Sequence, residues 1–157
     1  MNAIDTTTRQ FQDLADKFEI TELVSRLGRA LDEGDWAELA ELYTPDAIAR
    51  TPGGLATGRA ALLTQARRNH SPDRHIQHVI SGVLITLDGD TARVRANLLA
   101  VFAWDPAQDP TLGSRPQLTL GEIYRFEAVR TPGGWRFSRV ESTPVWSVGT
   151  RPAPATP

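Results

Sequence analysis

The chain has 157 residues, which suits one domain and would cramp two, and at 40% hydrophobic residues it can bury a core without disulfides or a metal. A formal charge of -2 and a pI near 5.9 give no electrostatic footprint for a polyanion, so nucleic acid is not expected as a partner. Cysteine is absent, which removes thiol nucleophiles, thiolate metal sites and disulfide scaffolds together.

Met1 to Phe11 lacks the basic and apolar regions of a secretory signal, and no apolar run reaches membrane-spanning length. The expectation is a cytoplasmic protein with no membrane partner. Residues 1 to 8 read as a flexible N-terminus. From Phe11 onward Leu14, Phe18, Leu23, Val24, Leu27 and Leu31 recur at spacings near three and four, which predicts an amphipathic helix over 9 to 31. Gly34 breaks it. Asp35 and Glu38 then form an Asp-x-x-Glu capping arrangement ahead of a short helix over 36 to 43, which Pro45 ends. Ala47 to Arg50 is extended, Thr51-Pro-Gly-Gly54 is a turn, and Thr57 is placed to cap a third helix through Arg67.

Beyond Pro72 the period shifts toward two. His75 to Leu87 is one strand, Asp88-Gly89-Asp90 a hairpin turn, and Thr91 to Trp104 the returning strand. A proline-bearing loop from Asp105 to Pro116 leads to a strand over Leu118 to Val129, and Thr131-Pro-Gly-Gly134 turns it into Trp135 to Trp146. Helices first and four strands afterwards indicate α+β, with an antiparallel meander covered on one face by three helices. Gly82 and Gly121 inside strands suggest bends that curl the sheet around a cavity. The domain spans 9 to 149, and the proline-rich tail over 150 to 157 offers little to bury and reads as disordered.

Five motifs occur in a fixed order: Leu31-Asp32-Glu33-Gly34-Asp35-Trp36, Leu42-Tyr43-Thr44-Pro45-Asp46-Ala47, His78, Leu87-Asp88-Gly89-Asp90-Thr91-Ala92, and Gly133-Gly134-Trp135-Arg136-Phe137. Together they resemble the SnoaL-like branch of the NTF2-like superfamily over about residues 12 to 149. The resemblance implies a cone-shaped fold with three N-terminal helices on a curved antiparallel sheet, and a homodimer through the outer sheet face. In its dehydratase and dehydrochlorinase members the catalytic aspartate matches Asp32 and the catalytic histidine matches His78, the histidine acting as base and the aspartate orienting it. Two departures stand out. A tyrosine that such helices carry shortly before the aspartate has no counterpart in Arg26-Leu27-Gly28, and an arginine that assists the leaving group falls at Val140.

By residue chemistry alone, Asp32 is a turn former or an orienting carboxylate, and His78 a satisfied core histidine or a base whose imidazole titrates near neutrality. No serine nucleophile signature accompanies them. The expected activity is that of a cofactor-independent lyase, isomerase or cyclase acting on a hydrophobic ring-containing small molecule, with dehydratase-like elimination favoured. The alternative is a non-catalytic binding or dimerisation module. Candidate substrate-binding residues are Trp36, Tyr43, Trp104, Glu122, Tyr124, Arg139 and Trp146. Glu122 either faces inward or marks a misread alternation, since its neighbours Leu120 and Tyr124 share its face. His75 and His78 lie too far apart in strand parity for a metal pair, and no metal is expected. Arg67-Arg68 reads as a solvated helix end, and Arg93 and Arg95 as outer-face residues.

Overall fold

The computed structural model describes residues 3 to 70, 74 to 104 and 116 to 150. In chain order it has helix α1 (Ala3–Glu33), helix α2 (Trp36–Glu41), a hairpin of β1 (Tyr43–Thr51) and β2 (Gly54–Thr57), helix α3 (Arg59–Asn69), and four long strands. These are β3 (Arg74–Asp88), β4 (Thr91–Trp104), β5 (Pro116–Thr131) and β6 (Gly134–Gly149). All six strands form one sheet in the order β2-β1-β6-β5-β4-β3. The meander from β3 to β6 is antiparallel, as the hairpin turns require. β1 adds a parallel pair against β6, which makes the sheet mixed. Bulges at Ser81/Leu84 and Gly121/Glu122 fall at the two strand glycines expected to bend the sheet.

Several local expectations change. α1 starts at Ala3, so residues 3 to 8 are helical, with Asp5 in the first turn where a negative charge complements the helix dipole. Residues 151 to 157 and the loop over 105 to 115 lie outside the described residues. α2 stops at Glu41 because Tyr43 already pairs with Phe137 on β6, and Pro45 sits within β1. Asp35 caps α2 by accepting from the Glu38 N–H at 3.0 Å, but the Glu38 carboxylate turns to Arg26 at 2.6 Å rather than back to the cap. Thr57 does not cap α3, since it remains paired with Ile48 in the hairpin; Gly58 takes the cap position without a side-chain bond.

The apolar residues of α1 belong to two stripes. Ile20, Leu23, Val24, Leu27, Ala30 and Leu31 are buried against the sheet, whereas Phe11, Leu14 and Phe18 are 64% to 68% exposed. At roughly 3.6 residues per turn the two sets fall on opposite faces, so one periodic run covers both a core face and a surface face. Beneath the buried stripe, Phe126 stacks on Phe137 with ring centres 4.6 Å apart, and Tyr43 and Tyr124 pack beside them.

The first half of α1 is fastened to the sheet by charge. Asp16, buried to 3% exposure, accepts two hydrogen bonds from the Arg130 guanidinium at 2.8 and 2.6 Å and one from the Trp135 indole at 3.2 Å. Arg130 also covers the Trp135 ring and reaches Asp90 in the β3–β4 turn at 2.9 Å. The Arg130 hydrogen bonds hold the Asp16 carboxyl below the usual carboxylate range, against the opposing effect of burial. A carboxyl depressed in the folded state stabilises the protein above its unfolded value of about 3.9, and that contribution is lost as pH falls through the folded value. Asp16→Asn is expected to cost about 1–3 kcal/mol, because Arg130 keeps its charge and is left with Asp90, on the exposed side, as its ionic partner among the described residues. Urea unfolding at neutral pH should show this gap, and the gap should close in acid below the folded Asp16 value.

Candidate active site

β3 is an edge strand, so alternate backbone N–H groups along it have no strand partner. One of these is the N–H of His78, and it is taken up by the last turn of α1: it donates to Asp32 Oδ1 at 2.9 Å. The same oxygen lies 2.6 Å from His78 Nδ1. A carboxylate can only accept, so Nδ1 carries the proton in this contact, and the neutral ring keeps its lone pair on Nε2. Two bonds to one residue fix both the rotamer and the tautomer. The His78 side chain is 7% exposed and that of Asp32 is 25% exposed.

This meeting depends on a small residue in the facing turn of the helix. Gly28 lies one helical turn before Asp32, and a Cβ built there would lie 3.4 Å from Ile80 Cδ1, 3.6 Å from the His78 carbonyl oxygen and 3.9 Å from His78 Cβ. Glycine therefore lets α1 settle onto β3 at the level of His78. Gly34, with φ of +66°, then ends the helix in a conformation that side chains disfavour.

His70 stacks on His78 with ring centres 5.6 Å apart and planes inclined by 22°. Its Nδ1 lies 2.7 Å from the Ala66 carbonyl, so the last turn of α3 orients this ring as α1 orients the other. Trp36 meets the edge of His70, with Arg67 above the indole. In the sequence His70 stands just beyond the third helix expected through Arg67 and carries no motif of its own. Its position beside His78 arises from the packing of α3 on the sheet, for which the sequence carries no local signal.

The histidines border a cavity of about 520 Å³ between the helices and the concave face of the sheet. Leu27, Leu31, Leu62, Leu98, Phe102 and Leu120 make most of it apolar. Of the candidate substrate-binding residues, Tyr43, Glu122, Tyr124 and Trp146 line it. Burial pushes the Tyr43 and Tyr124 phenols well up, and the Glu122 and Asp32 carboxylates raise Tyr124 further, so both hydroxyls stay protonated. Trp146 lies at the rim, its indole occupying the space a Cβ at Gly121 would take, so that glycine is the seat of the ring.

Two expected lining residues lie elsewhere. Trp36 is held against His70 outside the cavity wall. Arg139 faces away from the cavity and pairs with Glu141 at 2.7 Å, because Ser138 is an extra residue in β6 that inverts the alternation after Phe137. The same inversion turns Val140 and Ser142 inward. Trp104 closes β4, and its side chain lies outside the described residues. Sequence reasoning missed Ser142 and Gln65. Gln65 on α3 is 6% exposed and borders the cavity, and its amide makes no hydrogen bond among the described residues. His75 is exposed on the opposite face of β3 from His78. Arg93 is exposed and Arg95 half-buried, both on the convex face.

A helix-covered curved sheet with an acid–histidine contact at the wall of an apolar cavity defines an α+β domain of the NTF2-like class. The chain belongs to the SnoaL-like domain family, whose profile matches residues 12–141. An uncharacterized protein of Mycobacterium tuberculosis is 29% identical over 140 residues, covering 87% of this chain and 90% of its own. Among solved structures, an NTF2-like protein with a cystatin-like fold from Novosphingobium aromaticivorans is 29% identical, with a TM-score of 0.74 and 90% of each chain covered. A protein provisionally assigned as a scytalone dehydratase from the same organism is 24% identical, with a TM-score of 0.78 over 94% of this chain and 96% of that one. A type 2 hexachlorocyclohexane dehydrochlorinase, LinA, is 18% identical, with a TM-score of 0.77 over 94% and 97%. These last two likenesses establish the shared fold.

Gly28 offers a direct check on the geometry. Gly28→Ala fits the contact distances and should stabilise α1 by about 0.5–1 kcal/mol through helix propensity. Gly28→Leu should lift α1 from β3 and separate Asp32 from His78. Thermal melts and the ring-proton NMR shifts of His78 would distinguish the two variants.

Proposed function

We propose that this protein is a cofactor-independent lyase or isomerase in which His78 is the general base and Asp32 its orienting partner. The observation that carries this reading is Asp32 Oδ1 receiving both the ring and the backbone N–H of His78 at 2.6 and 2.9 Å beside an apolar cavity. With Nδ1 protonated, Nε2 is left to take a proton from carbon, and the carboxylate stabilises the imidazolium that results. The electron pair of the broken C–H bond forms a double bond as a group leaves the neighbouring carbon, or shifts and is reprotonated elsewhere. Elimination is favoured, since two of the similar folds carry the names of a dehydratase and a dehydrochlorinase. The substrate is a hydrophobic ring compound, because the cavity wall is mainly leucine and aromatic side chains.

The competing reading is a non-catalytic binding module. It is favoured by Arg139 turning away from the cavity and by Gly28 standing in the helix segment where the dehydratases carry a tyrosine. A screen of hydroxylated and halogenated ring compounds, read by mass spectrometry, separates the two. His78→Ala and Asp32→Asn should each lower turnover about 10²- to 10⁴-fold. Full turnover in either variant rejects the dyad.

Self-association forms part of the same proposal. Val79 and Leu84 are exposed on the convex face of β3, and Phe11, Leu14 and Phe18 on the outer side of α1. Apolar side chains so placed suit a homodimer contact. Analytical ultracentrifugation should give twice the chain mass, and a Leu84→Lys variant should shift it toward monomer. A wild-type monomer at micromolar concentration rejects the dimer.

A further inference from the structure

Asp32 holds the His78 ring at one atom, since Nδ1 is the ring nitrogen it meets. Hydrogen bonds tolerate angles well short of linear, so this contact alone lets the ring tilt about Nδ1 and carry Nε2 with it. A base works well only when held within about 0.5 Å and 10–20° of its productive geometry. The second restraint comes from α3. His70, at the C-terminal end of that helix, lays its ring against the face of His78 with centres 5.6 Å apart and planes inclined by 22°, within the range of an offset stack. Both histidines border the cavity.

The His70 ring is itself held on two sides. Its Nδ1 lies 2.7 Å from the Ala66 carbonyl oxygen, an acceptor only, so Nδ1 carries the proton and the last turn of α3 sets the plane of the ring. Trp36, the first residue of α2, meets it edge-on with ring centres 6.0 Å apart and planes at 76°, and the Arg67 guanidinium lies 5.6 Å from the centre of the indole. Trp36 borders His70 and not the cavity, so its large ring serves the histidine rather than a ligand. Nε2 of His70 is buried, which leaves the flat face of the ring, and not proton exchange with a ligand, as what it offers the dyad.

We propose that His70 is a positioning residue for the dyad: its ring, backed by Trp36, is a platform that fixes the tilt of His78 and so the direction of Nε2, while Asp32 fixes the tautomer. The inference deepens the enzyme reading by adding a residue that acts through His78, and it rests on that reading only for the use of Nε2 as the base. A flat ring at position 70 is the requirement. Imidazole meets it with one further advantage, because the bond from Nδ1 to Ala66 anchors the platform itself. The three helices then divide the work: α1 brings the carboxylate, α3 the platform and α2 the ring behind it.

NMR of the full chain carrying isotope-labelled histidine tests this without a substrate. Long-range proton–nitrogen correlations give the tautomer of each ring, and solvent exchange of the His78 Nδ1 proton reports how firmly that ring is held. Wild-type His78 should be in the Nδ1–H form. In His70→Ala, checked for folding by circular dichroism, exchange should be at least about fivefold faster, the order expected from losing an aromatic pair. His70→Phe, which restores a flat ring, should bring it back to within about twofold of wild type. His70→Met fills the volume without a flat face and should exchange as fast as His70→Ala; it takes the place of that variant if His70→Ala does not fold. Trp36→Ala should speed exchange in the same direction by a smaller factor. On any substrate found by the screen, His70→Ala should lower kcat about tenfold with KM within about twofold, the pattern of a misplaced base. Three results overturn the platform: exchange within about twofold of wild type in the folded His70→Ala or His70→Met variant, exchange in His70→Phe as fast as in His70→Met, or wild-type His78 in the Nε2–H form. Turnover that ignores His78 beside exchange that depends on residue 70 rejects the enzyme reading alone, and His78-dependent turnover beside exchange indifferent to residue 70 rejects the platform alone.

Discussion

The docking of α1 across the sheet is the constraint on which the rest of the molecule depends, and two carboxylates hold it. Asp16 grips Arg130 near the middle of the helix and Asp32 grips His78 near its C-terminal end, about 24 Å apart along the helix axis at 1.5 Å per residue. The buried stripe from Ile20 to Leu31 lies between these points. The two contacts look alike and serve different ends. Asp16 is sealed from solvent and met by two N–H groups of one guanidinium, an arrangement that fixes position and offers nothing to a ligand. Asp32 stays partly open and meets a group that can gain and lose a proton. Cavity height and dyad geometry are thus set by the same helix.

Much of this was legible in the sequence, and the residues show why. Asp88-Gly89-Asp90 and Thr131-Pro-Gly-Gly134 are tight turns with fixed strand offsets, so the antiparallel meander followed from them, whereas the bulge between Ser81 and Leu84 inverts the parity between the first turn and His78. The resemblance then paired His78 with Asp32 across 46 residues of sequence, a relation that no local pattern contains. What failed did so through single residues that shift parity. Ser138, one extra residue in β6, turned Arg139 out and brought Ser142 in. Phe11, Leu14 and Phe18 share a spacing with the core stripe of α1 but not its face, and spacing alone cannot tell the two faces of a helix apart. His70 and Gln65 reached the cavity through the angle at which α3 lies on the sheet, which is a tertiary property.

The two departures from the dehydratase pattern also acquire a physical meaning. Gly28 occupies the helix segment where that pattern has a tyrosine, and here the helix rests on the strand instead of projecting a phenol. Val140 stands where the pattern has an arginine, and it is buried in the core. Polar groups in the cavity come instead from β5, β6 and α3: Glu122, Tyr124, Ser142 and Gln65. The polar lining of the cavity is thus carboxyl, hydroxyl and amide, with no arginine or lysine among its described lining residues.

The edge position of β3 has a consequence for how such a protein diversifies. The wall bearing His78 joins the rest of the cavity through ladder bonds on one side only, and its other side is closed by side chains of α1. The wall bearing Glu122 and Ser142 is woven into the interior of the sheet and has strands on both flanks. Substitutions along the seam between α1 and β3 can therefore widen or narrow the chamber while every interior strand keeps its register. One wall of the cavity is adjustable and the other is fixed, so the size of the chamber can change through a helix face while the far wall keeps its place.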